Sequence, residues 1–194
     1  MTAKIPVSVL GATGTVGQKF VRLLADHPWF EVAAVAASSA SAGRRYGDVV
    51  RWREQSALPE RIAALIVQPS APPLPGPIVF SALDADVAGP IEQAFAAAGA
   101  YVVTNTRTHR MDADVPLLIP EANLDHLALV DRQHEVRGWP GAILANPNYD
   151  ESKQDRSFMA VHMKGGKTCP RCGHRISQIG SNREPLNFCR GCQL

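Results

Sequence analysis

Cysteine is absent from the first 168 of the 194 residues, which excludes a disulfide framework over most of the chain. No apolar run has the length that crosses a bilayer, and no signal-peptide pattern precedes Gly11. Aromatic residues make up only 6% of the sequence, and the composition is otherwise that of an ordinary globular protein. We therefore expect a cytoplasmic protein without a membrane span.

Charge and cysteine divide the chain into two parts. Residues 1–149 hold 12 Lys or Arg and 14 Asp or Glu, a formal charge of −2, whereas residues 150–194 hold 8 and 4, a charge of +4. All four cysteines also lie in the last 26 residues. Because 194 residues can hold one medium domain and a small module, we predict a body at 1–149, a polar linker at 150–157 and a module at 158–194.

A glycine-rich turn is the main feature of the body. Residues 6–17 read PVSVLGATGTVG, which predicts a strand, a turn with Gly11, Gly14 and Gly17, and a helix over Val16–His27. Small residues and a helix N-terminus suit a dinucleotide pyrophosphate. The spacing is Gly-x-x-Gly-x-x-Gly and not the commoner Gly-x-Gly-x-x-Gly, so the neighbouring segments must decide whether the turn binds a dinucleotide. The predicted apolar stripe of the helix is Val16, Phe20, Leu23 and Leu24, with Gln18, Lys19 and Arg22 off it.

The segment after the next predicted strand, Glu31–Ala37, indicates which dinucleotide binds. NAD sites usually carry an acidic residue there, whereas this chain has no acid before Asp48. The segment instead contains Ser38, Ser39, Ser41, Gly43, Arg44 and Arg45. Hydroxyl and guanidinium groups suit the 2′-phosphate of NADP, which a carboxylate would repel. The alternative is a solvated loop with surface arginines.

The alternation of strands and helices continues beyond a proline-rich connector at residues 69–77. Strands are predicted at Ile78–Ala82, Tyr101–Thr104 and Ala142–Ala145, with a helix over Pro90–Ala98. The fold class is therefore α/β, a Rossmann-like doubly wound parallel sheet, with its ligand crevice at the carboxyl ends of the strands. The residues placed around that cleft are Gly11 to Gly17, Ser38 to Arg44, Ser81, Ala82, Leu83 and Asn105.

Five ordered motifs in residues 4–148 resemble the N-terminal half of aspartate-semialdehyde dehydrogenase of the archaeal and fungal type: GATGTVGQKF, ASSASAGRRY, FSALDADVAGPIE, VTNTRTHRMDADVPLLIPEAN and ILANPN. Enzymes of that family reduce aspartyl phosphate with NADPH through a cysteine thioester. The resemblance implies that Arg110 meets the substrate phosphate and that Asn148 lies beside the nucleophile. It implies pyrophosphate contacts at Gly11, Thr13, Gly14, Thr15 and Val16, and 2′-phosphate contacts at Ser38, Ser39, Ser41 and Arg44.

The chain departs from this family at the residue after Asn148. The family places its nucleophilic cysteine there, whereas this chain has Tyr149. A phenol cannot form a thioester, and its ordinary pKa near 10 makes it a poor nucleophile at neutral pH. The family's catalytic domain and main dimer surface do not follow either. We therefore expect a cofactor-binding half-site without dehydrogenase activity, and an uncovered sheet surface that favours self-association.

The last part of the chain carries two Cys-x-x-Cys pairs separated by sixteen residues. This spacing predicts one structural zinc site of four thiolates, because each pair can direct two sulfurs at one metal. A redox motif and two disulfides are the alternatives, and a cytoplasmic location disfavours the latter. The residues between the pairs predict a β-hairpin with its tip at residues 180–182, which makes the module a four-cysteine zinc ribbon. The predicted zinc ligands are Cys169, Cys172, Cys189 and Cys192.

Residues 158–193 resemble the C-terminal zinc finger of formamidopyrimidine-DNA glycosylase and endonuclease VIII. The shared marks are the glycine after the first cysteine pair, Phe188 before the third cysteine and the closing Cys-Gln. In that family an arginine near the hairpin tip contacts DNA. Arg183 is the nearest candidate here, although Glu184 stands at or near the matching position. The glycosylase's N-terminal proline and helix–two-turn–helix domain are missing, so the resemblance implies DNA contact without base excision.

Three interpretations of the whole chain follow. The first is a body that binds NADP(H) without carrying out the family's reaction. The second is a zinc-dependent DNA-binding module on an inert α/β body. The third is a chimeric join of two partial proteins with no evolved function of its own.

Overall fold

The computed structural model describes residues 3–147, 166–169, 173–179 and 186–188. The chain divides into two compact units, Met1–Ile119 with Asn123–Asn148 and Pro120–Ala122 with Tyr149–Leu194. The predicted linker and most of the predicted zinc module lie outside the described residues. No helix in the described part of the chain is both long and apolar enough to cross a membrane.

The first 147 residues alternate strands with helices. The strands are β1 (Ile5–Leu10), β2 (Phe30–Ala37), β3 (Gln68–Pro69), β4 (Ile78–Ser81), β5 (Tyr101–Thr104) and β6 (Ala142–Ala145). The helices are α1 (Thr15–Ala25), α2 (Tyr46–Val49), α3 (Glu60–Ala63), α4 (Ala85–Ala97), α5 (Pro120–Asn123) and α6 (Leu129–Arg137), with a 3-10 helix at Leu124–Ala128.

The six strands form one parallel sheet in the order β3-β2-β1-β4-β5-β6. The chain runs outward from β1 to β2 and β3, then returns to the other side of β1 and adds β4, β5 and β6. This reversal of direction beside β1 makes a crevice between the carboxyl ends of β1 and β4. The predicted Rossmann-like, doubly wound parallel sheet is therefore confirmed.

The carboxyl-terminal residues of β1 and β2 are buried on both faces of the sheet, as their runs of Val, Leu and Ala predict. In β4 and β5 buried residues alternate with partly exposed ones. One core cluster joins Val9 of β1 and Val35 of β2 to Val21 of α1. The other joins Val102 of β5 to Phe95 of α4, together with apolar residues of β4 and β6. Together the clusters pack the two helices that carry the longest apolar faces against the sheet.

The apolar face of α1 differs from the predicted stripe. The helix starts at Thr15 and ends at Ala25, two residues short of the predicted end. Val16 and Leu23 are 42% and 55% exposed, so neither lies in the core. The buried face instead contains Gly17, Gln18, Val21, Leu24 and Ala25. Gly17 has no side chain, so α1 packs closely against the turn at Gly11 and Ala12.

Helix α4 begins at Ala85, five residues before the predicted start at Pro90. The prediction used Pro90 as the first helical residue, where a missing N–H is harmless. Pro90 is instead the sixth residue, so the helix forgoes one hydrogen bond there. Burial of Phe95 and Ala96 against the sheet stabilises the helix in spite of that loss.

Helix α6 was not predicted from the sequence because its apolar residues form no helical stripe. Its buried residue is Gln133, whose amide nitrogen donates to Ile143 O (3.1 Å) and Asp114 O (3.0 Å). Gln133 Oε1 accepts from Ile143 N at 2.7 Å. Farther along β6, Ala145 exchanges hydrogen bonds with Pro116 O and Leu118 N (both 2.9 Å). The outer edge of β6 is therefore hydrogen-bonded at Ile143 and Ala145.

The described part of the second unit contains two short strands. Strand β7 (Ser177–Ile179) pairs antiparallel with β8 (Leu186–Phe188). Cys169 is buried, and its N–H donates to His174 O at 2.8 Å. Three of the predicted zinc ligands (Cys172, Cys189 and Cys192) and Arg183 lie outside the described residues.

Candidate functional site

A cleft of about 570 Å³ lies at the carboxyl ends of β1, β2 and β4. Its position is the crevice expected for a ligand of a doubly wound sheet. Residues from the glycine turn, from the segment after β2 and from the segment after β4 line it. Six of the predicted site residues are in its wall: Gly11, Thr13, Gly14, Ser38, Ser39 and Ala82.

The three positions of the turn require glycine for different structural reasons. Gly11 has φ +67°, and a Cβ there would lie 2.5 Å from Ala82 O at the end of β4. A Cβ on Gly17 would overlap Gly11 O and lie 2.7 Å from Ala12 Cα. At Gly14 the nearest atom to a Cβ is Gly11 O at 3.3 Å. Gly11 and Gly17 are thus required by internal packing, whereas Gly14 keeps the ligand side of the turn open.

The N-terminus of α1 provides hydrogen-bond donors beside this turn. Gly14 precedes the helix and its N–H donates to Gly11 O at 3.0 Å, while the first helical bond is that of Gln18 N–H to Gly14 O at 2.9 Å. The N–H groups of the first turn, including those of the predicted residues Thr15 and Val16, precede that bond and have no helical acceptor. Together with the positive end of the helix dipole, they form an environment that suits phosphate oxygens.

Two side chains that the sequence analysis did not select hold the glycine turn from its buried side. Tyr46 Oη donates to Ala12 O at 2.7 Å, and Gln18 Nε2 donates to Thr13 O at 2.9 Å. Gln18 Oε1 also accepts from Arg53 N at 2.8 Å. Gln18 was assigned to the exposed face of the helix, and Tyr46, the last residue of the motif ASSASAGRRY, was given no role.

The segment after β2 brings the predicted 2′-phosphate residues onto one turn. Ser38 O accepts from Ser41 N (2.9 Å) and Ala42 N (3.1 Å), and Arg44 N lies 3.4 Å from Ser41 O. Ser38 and Ser39 line the cleft, whereas Ser41 and Arg44 lie farther along the same turn. Arg44 is exposed, and its guanidinium has no hydrogen bond or ion pair within residues 3–147.

Arg45 differs from Arg44 in its charge environment. Its guanidinium lies 3.9 Å from the carboxylate of Glu60, and its backbone forms a bridge with Ile66. The two neighbouring arginines are both exposed. Because Arg45 has a carboxylate partner and Arg44 has none, Arg44 is the better candidate for an anionic ligand.

Ser81, predicted near the ligand, is not in the wall of the cleft. It is fully buried, and its hydroxyl donates to Glu92 Oε1 at 2.6 Å. Thr104 donates to the same oxygen at 2.6 Å. The Glu92 side chain on α4 thus ties together the carboxyl ends of β4 and β5.

The other oxygen of Glu92 faces a buried histidine. Glu92 Oε2 lies 3.8 Å from His109 Nε2, and neither atom has a hydrogen-bond partner within the described residues. His109 Nδ1 lies 2.8 Å from Asp112 Oδ2. Burial raises the pKa of Asp112, but hydrogen bonds from His109 and Arg137 outweigh it and hold the pKa below its usual value. An ionised Asp112 can only accept, so His109 Nδ1 carries the proton and Nε2 is turned to Glu92.

The predicted residues Asn105 and Arg110 lie at the ends of β5 and β6. Arg110 Nη2 donates to Asn105 O (2.8 Å), and its Nε donates to Asn146 O (3.0 Å). The side chains of Asn105 and Asn146 are joined by a 3.0 Å hydrogen bond. Burial lowers the pKa of Arg110 from its ordinary value. Neither Asn105 nor Arg110 lines the cleft, and Asn148 and Tyr149 lie outside the described residues.

Comparison with known proteins agrees with this geometry. Residues 6–130 match the family model described as semialdehyde dehydrogenase, NAD binding domain. The aspartate-semialdehyde dehydrogenase of Archaeoglobus fulgidus is 46% identical over 143 residues, 73% of this chain and 42% of that protein. The malonyl CoA reductase (NADP) of Metallosphaera sedula is 40% identical over 149 residues, 76% of this chain and 42% of that protein.

A solved structure shows the same fold. The crystal structure of aspartate-semialdehyde dehydrogenase with NADP from Candida albicans has a TM-score of 0.67 and 42% identity. The match covers 74% of this chain and 42% of that chain. The predicted resemblance of the body to the N-terminal half of this enzyme type is therefore confirmed, and the chain spans about two-fifths of the length of these relatives.

Proposed function

The chain belongs to the semialdehyde dehydrogenase NAD-binding domain family, and from this premise we propose that it binds NADP(H) in the cleft described above. The observation that carries the proposal is the exposed Arg44 guanidinium, which has no partner among the described residues and lies on the turn that begins at Ser38 and Ser39. A guanidinium and two hydroxyls suit a phosphate on the adenine ribose. The relatives from Metallosphaera sedula and Candida albicans are named with NADP, which supports the same cofactor.

The parts of the cleft fit the parts of this cofactor. Gly11, Thr13 and Gly14 would hold the pyrophosphate together with the N-terminus of α1, whose first residues are Thr15 and Val16. Ser38, Ser39, Ser41 and Arg44 would hold the 2′-phosphate, and Ala82 would lie beyond them at the end of β4. When bound, NADPH supplies a hydride, and this chain's residues contribute binding and orientation.

Replacing Arg44 with alanine should weaken NADP+ binding by about 10-fold or more, because one charge-assisted phosphate contact contributes on the order of 1.5–3 kcal/mol. Binding of NAD+, which lacks the 2′-phosphate, should be unchanged. Isothermal titration calorimetry of both ligands measures the two effects. The matched control is Arg45→Ala, which removes the arginine paired with Glu60 and should keep full NADP+ affinity. Equal losses from the two variants would refute the assignment of Arg44.

We also propose that the chain binds the cofactor without reducing an acyl phosphate, because Tyr149 stands where the resemblance places the nucleophilic cysteine. Tyrosine has no route to a thioester. One relative is named an aspartate-semialdehyde dehydrogenase and another a malonyl CoA reductase, so the substrate class of this chain follows from neither name alone. The same protein samples test this point: NADPH oxidation in the presence of aspartyl phosphate would contradict it.

A second proposed function concerns the four cysteines, which we infer hold a structural zinc in a DNA-binding module. The support is the Cys-x-x-Cys spacing and the buried position of Cys169, whose backbone binds Gly173 N (3.0 Å) and His174 O (2.8 Å). Buried thiolates at this spacing are the donor set that zinc prefers. Arg183 remains the candidate for the DNA contact.

The self-association expected from the sequence also remains a proposal. Large apolar side chains are exposed on the first unit, among them Trp29 at 69% and Met111 at 93%. Association would bury apolar area of this kind between copies.

Native mass spectrometry of the full chain tests the zinc and the oligomer together. One zinc per chain is expected, and Cys169→Ser should reduce the zinc content by more than half, because a three-thiolate site binds zinc more weakly. Four free thiols in the folded chain would refute the zinc site, and a strictly monomeric spectrum at high protein concentration would refute self-association.

A separate experiment tests DNA binding: the chain should be retained on duplex DNA in a salt-sensitive way, and chelation of the zinc should abolish that retention.

A further inference from the structure

Tyr46 connects the two halves of the cleft from inside the protein. It is completely buried and begins α2 directly after Arg44 and Arg45. Its hydroxyl donates to Ala12 O at 2.7 Å, across 34 residues of sequence. Its own N–H donates to Leu65 O at 2.8 Å, which fixes the start of α2. A single side chain therefore joins the segment of the 2′-phosphate residues to the glycine turn.

The direction of this hydrogen bond determines the orientation of the next peptide group. In a trans peptide, the C=O and the following N–H point in opposite directions. The Ala12 C=O points to the buried Tyr46 hydroxyl, so the Thr13 N–H points away from it. Thr13 is in the cleft wall, and its N–H donates to no acceptor within the part of the chain that the structure describes. The next amide, Gly14 N–H, is already bonded to Gly11 O.

We propose that Tyr46 is a positioning residue for cofactor binding, which holds the Ala12 carbonyl so that the Thr13 N–H faces a pyrophosphate oxygen in the cleft. This inference rests on the proposed NADP(H) site. It goes beyond that site by naming the donor and the residue that orients it. Tyr46 itself does not touch the cofactor.

The surroundings of Tyr46 make its hydroxyl a constant donor. Burial raises the pKa of the Tyr46 phenol well above its ordinary value, so the group stays protonated throughout the pH range in which proteins are handled. The adjacent carbonyl, Thr13 O, is held in the same way by Gln18. Two consecutive carbonyls of the turn are thus fixed on the buried side, which leaves little freedom for the Thr13 peptide to rotate.

The variant Tyr46→Phe keeps the buried ring and removes only the donor. We expect the Kd of NADP+ to rise about 10-fold, because the Thr13 peptide can then turn away from the pyrophosphate. Adenosine 2′-monophosphate, which contains the 2′-phosphate but no pyrophosphate, should bind with unchanged affinity. The matched control is Tyr101→Phe, which removes the same group from a partly exposed tyrosine at the amino end of β5. It should leave the affinity of both ligands unchanged.

Each result of the titrations decides a different point. A wild-type chain that does not bind NADP+ overturns the proposed function and this inference together. If the wild type binds NADP+ and Tyr46→Phe binds it equally well, only the positioning role is wrong. If Tyr46→Phe loses affinity for both ligands in parallel, the fold has loosened generally, and this result also overturns the positioning role.

A measurement on the wild type covers the case in which Tyr46→Phe fails to fold. In a nitrogen-15 spectrum titrated with NADP+, the Thr13 amide proton should show one of the largest downfield shifts in the glycine turn, whereas the Gly14 amide, already bonded, should move less. A Thr13 amide that does not shift on saturation would overturn the inference.

Discussion

Gly17→Ala is expected to destabilise the folded body by about 4 kcal/mol or more, a large part of the roughly 5–15 kcal/mol that keeps a domain of ordinary stability folded. A Cβ at this position would overlap Gly11 O and lie 2.7 Å from Ala12 Cα. Both neighbours are backbone atoms, so no flexible side chain can move aside. Relief requires α1 to move away from the turn at Gly11 and Ala12, which disturbs the core packing of Val21 and Leu24. Circular dichroism during thermal unfolding measures the effect.

Gly14→Ala is the matched control, with the same added methyl group three residues earlier. Its Cβ would meet only Gly11 O at 3.3 Å, and its φ of −74° suits any residue. We expect a loss of stability of about 1 kcal/mol or less. A methyl group on the wall of the cleft should nevertheless weaken NADP+ binding. Equal destabilisation by the two variants would show that the contact at Gly17 is relieved by a small shift of the backbone.

Glu92→Leu should have the second-largest effect, a loss of about 3 kcal/mol of unfolding free energy. The replacement removes the acceptor that the hydroxyls of Ser81 and Thr104 share. Thr104 keeps a second partner, Thr106 Oγ1 at 3.1 Å, whereas the Ser81 hydroxyl is left unsatisfied, and an unsatisfied buried polar group costs about 1–3 kcal/mol. His109 would also lose the carboxylate that faces it at 3.8 Å. Urea denaturation of the variant and of the wild type measures the change.

Two further variants separate the hydrogen bonds of Glu92 from its charge. Glu92→Gln keeps an acceptor oxygen for the two hydroxyls and places an amide N–H opposite His109 Nε2, so we expect a change of about 1 kcal/mol or less. Glu135→Leu removes an exposed carboxylate on α6 and should change stability by less than about 0.5 kcal/mol. A Glu92→Leu variant as stable as the wild type would refute the role of this carboxylate.

Most of the sheet could be predicted from the sequence because its signals are local. Runs such as IVFS and YVVT are short, apolar and rich in β-branched residues, and they became β4 and β5 with nearly the predicted ends. Helix α6 could not be predicted, since the hydrogen bonds that hold it in place join Gln133 to the backbone of Ile143 on β6. The early start of α4 was missed because Pro90 carries a strong local signal that burial of the helix overrides.

In the site, too, residues with a local sequence signal were predicted, whereas residues whose role depends on partners far along the chain were not. The glycine turn and the serines after β2 were identified because backbone approach and phosphate contact require particular residue types at particular places. Tyr46 and Gln18 were missed because their partners are carbonyl groups, which no residue type reveals. Ser81 was placed correctly at the end of β4, but its side chain is turned to Glu92, eleven residues farther along the chain.

The satisfied outer edge of β6 has a consequence for the behaviour of concentrated solutions. A second molecule that approaches this side finds the amide and carbonyl of Ile143 occupied by Gln133, and those of Ala145 occupied by residues 116 and 118. Growth of fibrils by strand addition therefore has no template here. Aggregates that form under native conditions should be held together at this face by side chains alone, and should dissolve again on dilution.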